Sequence, residues 1–130
     1  MRLATESLTR PAWESVHFTD AAPDPGDLVA AGFFVGTLDA AEIDDDGRLL
    51  AAVAEALEFP DYFGSNWDAL NDCLGDMSWA PAEGYALIVT GADALWRRSP
   101  SIAAGLVASW LFAAEGWGRR DVPFHLVYEW

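Results

Sequence analysis

Tyr85-Ala86-Leu87-Ile88-Val89-Thr90 is a continuous apolar run of strand length. Such a run, without polar alternation, reads as a strand covered on both faces, the mark of a parallel sheet between two layers. Working back toward the N-terminus, Gly32-Phe33-Phe34-Val35-Gly36-Thr37 reads as a second strand. Between the two, Asp44-Asp45-Asp46 precedes Leu49, Leu50, Val53 and Leu57, which recur at helical spacing. Acids in a first helical turn are favoured by the helix dipole. A loop with Pro60 and Gly64 follows, then a short helix over Ser65 to Leu74 with Ser65 as its N-cap.

Toward the C-terminus, Ser99-Pro100 is a helix start with proline at the first helical position. That helix directs Leu106, Val107, Trp110, Leu111 and Ala114 inward, and Gly116 or Gly118 would end it. Phe124-His125-Leu126-Val127-Tyr128 is the last strand. Strands separated by helices imply a small parallel α/β layer.

Residues 1–31 are punctuated by Pro11, Pro23, Pro25 and Gly26 and read as an extension to a domain at 32–130. Within them only Trp13 to Phe18 alternates well enough to form a short strand. The 130 residues make one domain. A globule of this mass keeps roughly 6,700 Å² of surface against roughly 20,000 Å² for the open chain, so a real core is possible.

The chain carries seven basic residues, all Arg, against 21 acidic ones, a net charge of −14. No base lies between Arg48 and Arg97, an interval that holds Glu55, Glu58, Asp61, Asp68, Asp72, Asp76, Glu83 and Asp93. Such a chain repels nucleic acid and anionic lipid and suits a basic protein partner, although charge of this kind also serves plain solubility. Cys73 is the single cysteine, so no internal disulfide forms and no site of several thiolates exists. The uncharged run Ser99 to Ala114 is too short for a bilayer, and Met1 to Glu6 lacks a signal-type apolar stretch, so the expected location is the cytosol.

Several chemistries fail on spacing. Glu42-x-Asp44-x-Asp46-Gly47 resembles half a calcium loop, but Val53 stands where the bidentate acid is needed. His17 and His125 are too few for a metal centre, and His125 inside a strand reads as a satisfied core or edge histidine. No phosphate-binding glycine loop and no Gly-x-Ser-x-Gly nucleophile motif occurs. Neither cofactor nor metal is expected, and Asp68 with Asp72 as an acid–base pair is the weakest reading because no nucleophile or histidine accompanies them. The chain is expected not to be an enzyme.

The informative segment is Phe59-Pro60-Asp61-Tyr62-Phe63-Gly64-Ser65-Asn66-Trp67-Asp68-Ala69-Leu70-Asn71-Asp72-Cys73-Leu74. On a helix at ~100° per residue, Ala69, Leu70, Cys73 and Leu74 share one arc and face a core. Asp68 and Asp72 share the opposite arc, bordered by Ser65 and Asn71. Two carboxylates one turn apart repel by roughly 0.2–0.5 kcal/mol. Asp68, in the first turn, is favoured by the dipole; Asp72, near the C-terminal end, is not. From the residues alone, a partner-binding face and a merely solvated face are equally open.

The pattern Pro60-x-Tyr62-aromatic-Gly64-x-Asn66-x-Asp68-Ala69-Leu70-x-Asp72-Cys73-Leu74 resembles the inhibitory loop and helix of the barstar family, intracellular inhibitors of secreted ribonucleases. The resemblance runs from about Phe33 to Tyr128. It implies a small three-stranded parallel sheet packed with about four helices, and a monomer that binds a basic ribonuclease. In the family an aspartate enters the nuclease active site in place of phosphate. Asp72 matches that residue, and Asp68 a second acidic contact. Tyr62, Gly64, Asn66 and Asn71 match further contact positions. Trp79 corresponds to a tryptophan beyond the motif helix, at a spacing lengthened by Gly75-Asp76-Met77-Ser78. Glu115 is the nearest counterpart of a contacting glutamate late in the long helix. Family members can carry an aromatic residue at the place of Asn71 and an aliphatic one at that of Trp67, differences that bear on which partner is bound. A different basic nuclease or effector toxin is the alternative partner.

Overall fold

The computed structural model describes residues 3–9 and 14–130. A 3-10 turn at Thr5–Ser7 is followed by β1 (Val16–Thr19), α1 (Pro25–Ala30), β2 (Phe33–Asp39), α2 (Asp46–Ala56), α3 (Trp67–Asp76), β3 (Gly84–Thr90), α4 (Ala92–Arg98), α5 (Pro100–Arg119) and β4 (Phe124–Glu129). The strands pair in the order β1-β4-β3-β2, all parallel. The α/β layer is as expected, but the sheet has four strands rather than three.

The added strand comes from the segment before residue 32. Val16 pairs with Leu126 and Thr19 with Glu129. Phe124 to Tyr128 are all buried, so β4 is a central strand by composition and would be a hazard left open at an edge. The short, half-exposed β1 takes that edge. Trp13, the start of the expected strand, lies outside the described residues.

Pairing β1 with β4 also brings together two histidines 108 residues apart. His17 Nε2 lies 2.9 Å from His125 Nδ1, one ring donating and the other accepting. His125 is buried, as its strand position suggested, and its Nδ1 pairs with the other histidine. Burial holds His17 below its ordinary pKa, against the pull of Glu14.

The unbroken apolar run of β3 has its explanation in two cores. Tyr85, Leu87 and Val89 join the larger one with α2, α3 and α5. Ala86 and Ile88 join a smaller one with Leu8, Ala22, Leu28 and Val127. The smaller core is closed by α1, which the sequence pattern did not reveal. Asp24 caps it by accepting from Gly26 N at 2.8 Å, and Pro25 opens it.

Leu49, Leu50 and Val53 of α2 are buried, as is Leu57 just beyond it. Asp45 caps that helix by accepting from Arg48 N at 2.7 Å. Gly91 opens α4 in the left-handed region at φ +65°, where a Cβ would come within 2.8 Å of Asp39 Oδ1. In α5, Leu106, Trp110 and Ala114 are buried and Val107 is half-buried. Leu111, however, faces solvent, because one step of ~100° beyond Trp110 leaves the buried arc. Neither Gly116 nor Gly118 ends the helix, which runs on to Arg119. The reason is Trp117, buried against Tyr85 and Phe124, whose indole N–H donates to Leu74 O at 2.8 Å. No helix among the described residues is long and apolar enough to cross a membrane.

Candidate partner-binding site

Helix α3 and the loop before it are tied to the core by aromatic packing and hydrogen bonds. Phe59 packs edge-on against Phe63 and Trp79, with centroids 5.1 and 5.6 Å apart. Trp79 donates its indole N–H to Leu57 O at 3.0 Å. The half-buried Trp79 therefore supports the loop from beneath. Asn66 supplies the cap, not Ser65. Its Oδ1 accepts from Ala69 N at 2.7 Å on an extended backbone, while Ser65 sits at φ +55°.

Contacts at both ends and along its length then hold α3. At its start the Trp67 indole donates to Asp46 Oδ2 at 3.2 Å and lies so close over Gly105 that a Cβ there would sit 3.0 Å from the ring. Along its length Leu70, Cys73 and Leu74 are buried, and Ala69 is half-buried. At its end Trp117 holds the Leu74 carbonyl, and Met77 closes the helix in the left-handed conformation. Burial, then Asp76 and Asp72, push the Cys73 thiol above its ordinary value, so it behaves as an inert small hydrophobe.

Outward, Asp68 and Asp72 are exposed as the helical projection required. Asp76 continues the stripe one turn on; sequence reading passed over it, although its spacing of four from Asp72 was the available signal. Tyr62 is 67% exposed, and its hydroxyl donates to Asp76 Oδ2 at 3.0 Å, so the loop tip leans on the acidic stripe. Gly64 is exposed beside them.

The described arginines are all engaged elsewhere. Arg48 faces Asp44 and Asp45 at 3.6 Å each, and Arg97 faces Asp93 at 3.3 Å. Arg119 holds Glu115 at 2.6 Å. Arg98 donates to the carbonyls of Ile43 and Ala41, and Arg120 lies 4.3 Å over the Trp117 ring. Among the described residues no base pairs with Asp68 or Asp72.

Asn71 and Glu115, placed on different helices, come together. Both line an open cleft between α3 and α5, with Gly75, Phe112, Gly116 and Arg119. The Oδ1 of Asn71 is shielded from water without a hydrogen-bond partner among the described residues. The structure thus joins Asp68, Asp72, Tyr62 and Gly64 in one acidic face, with Asn71 and Glu115 in the flanking cleft; Asn66 is exposed where it caps α3, and Trp79 is half-buried beneath the loop. Among the described residues no three His, Cys, Asp or Glu side chains are placed to hold a metal. The arrangement suits recognition of a cationic surface.

No curated protein matches the chain. The family model described as Barstar (barnase inhibitor) matches residues 33–129, and the chain accordingly belongs to the barstar family, whose members inhibit ribonucleases.

Proposed function

We propose that this protein inhibits a basic ribonuclease by offering Asp72, seconded by Asp68, to the cationic active site as a substitute for phosphate. The observation that carries this reading is the pair of exposed aspartates, without a base among the described residues, on a helix anchored at both ends. Among the described residues no base relieves the repulsion between Asp68 and Asp72. Arginine, lysine or histidine of a nuclease site would relieve it, and exclusion of water at the centre of the contact would strengthen each charge pair. Because α3 is held by Trp67 and Trp117, little ordering of the helix remains to oppose binding. Tyr62 adds an aromatic anchor at the rim.

The test is inhibition of ribonuclease activity by purified protein, with the partner captured by co-expression of candidate nucleases. Asp72→Ala should lose far more inhibition than Glu83→Ala, an exposed acid away from α3, with circular dichroism unchanged for both. Equal, small losses would remove the inserted carboxylate. Capture of a deoxyribonuclease or another basic toxin, with RNA cleavage unaffected, would move the partner to the alternative class.

A further inference from the structure

The cleft beside the acidic stripe has a volume of about 390 Å³ and is kept open by residues the fold does not need to be small. Gly36, Gly84 and Gly105 are each required by close packing: a Cβ would meet Ala56 O at 2.7 Å, the Phe33 ring at 2.6 Å and the Trp67 ring at 3.0 Å. Gly75 and Gly116, inside α3 and α5, are not. A Cβ at either meets nothing within 4 Å. Glycine is a poor helix residue; Gly118, near the end of α5, is equally open and lies outside the cleft, while the two glycines further inside their helices both line it. Asn71, whose Oδ1 is shielded from water and has no hydrogen-bond partner among the described residues, lines the same cleft. An unsatisfied acceptor at such a place stands to gain from a donor brought by another molecule, reached by rotation of the amide.

We propose that this cleft is a receptor for an aromatic side chain with a hydrogen-bond donor, a tyrosine or tryptophan, supplied by the ribonuclease. The inference rests on the functional reading above and specifies part of the partner. The site is continuous with the acidic stripe: Asn71 directly precedes Asp72, and Gly75 lies between Asp72 and Asp76. A surface that covers Asp72 covers the cleft as well. Its walls suit an aromatic body, with the ring of Phe112 67% exposed at the rim and Trp117 behind. Its charges disfavour a guanidinium or ammonium. Arg119 and Arg120 both line it, and Glu115 is already neutralised by Arg119 at 2.6 Å. A neutral donor on an apolar frame answers both the walls and the Asn71 acceptor.

The test is titration of the full chain with N-acetyltyrosinamide, followed by NMR at the Asn71 side-chain amide and the Gly75 and Gly116 backbone amides. Saturable shifts confined to these groups are expected. Gly116→Leu should weaken that binding at least tenfold while folding normally, since its side chain enters empty space; Gly75→Leu is the second variant should the first unfold. Asp72→Ala should leave N-acetyltyrosinamide binding unchanged while it removes nuclease inhibition, so the cleft and the acidic stripe fail separately. Absence of shifts at these groups, unchanged binding by the leucine variants, or preferential binding of N-acetylargininamide would overturn the proposal.

Discussion

Helices α4 and α3 treat their acids in opposite ways. In α4, Asp93 has Arg97 one turn on and meets it at 3.3 Å. The same i, i+4 spacing joins Asp44 to Arg48 and Glu115 to Arg119. In α3 the positions one turn beyond Asp68 and Asp72 are again aspartates. Such pairs mark α2, α4 and α5 among the described residues, and α3 has none. Charge that is balanced within one helix contributes a few tenths of a kcal/mol and attracts little; charge stacked without a counterion projects a field into solvent. The overall −14 conceals this difference, which is one of arrangement rather than amount.

The comparison can be broken most directly at Asp72. Asp72→Ala should weaken inhibition by about 30-fold or more, on the order of 2 kcal/mol, without loss of thermal stability, since it relieves repulsion. If Asp93→Ala costs as much inhibition, the two helices do not differ in function. Next in size, raising ionic strength from about 50 to 500 mM should slow association by about tenfold while dissociation changes less, measured by stopped flow. A rate indifferent to salt would show that the unpaired stripe does no steering.

Asn66→Ala removes the cap that begins α3. It should cost about 1 kcal/mol, seen as a lower denaturant midpoint with an unchanged slope. No loss would mean that Trp67 and Trp117 hold the helix without its cap. The smallest effect belongs to the paired side. Arg97→Ala, which opens an exposed pair, should change stability by about 0.3–0.5 kcal/mol and leave inhibition as it was. A marked gain of binding on freeing Asp93 would show that an unpaired acid anywhere on the surface suffices.

Much of this was legible because it rests on short-range pattern. The run at 85–90, the spacing of Leu49, Leu50 and Val53, and Pro100 at a helix start each report a local preference reinforced by burial. The opposed arcs of α3 were equally legible, since helical geometry alone separates Asp68 and Asp72 from Leu70, Cys73 and Leu74. What escaped was α1, six residues too short to carry a period, which exists because the sheet offers it a face; the four-residue β1 was legible as part of an alternating stretch, but its place at the β4 edge was not. Leu111 and Ser65 mark a related limit, because one residue of rotation moves a side chain from core to solvent or a cap from one residue to the next.

Sequence by itself determined the layer type, the buried strand, the family pattern and the presence of two carboxylates on one helical face, all consequences of local geometry and of which residues avoid water. Only the tertiary structure decided that a fourth strand closes the β4 edge through a histidine pair, that Trp67 and Trp117 immobilise α3, and that the described arginines are spent elsewhere. It alone also placed Asn71 and Glu115 across one cleft. These depend on contacts between residues tens of positions apart, and local pattern holds no record of such distances until the chain has closed on itself.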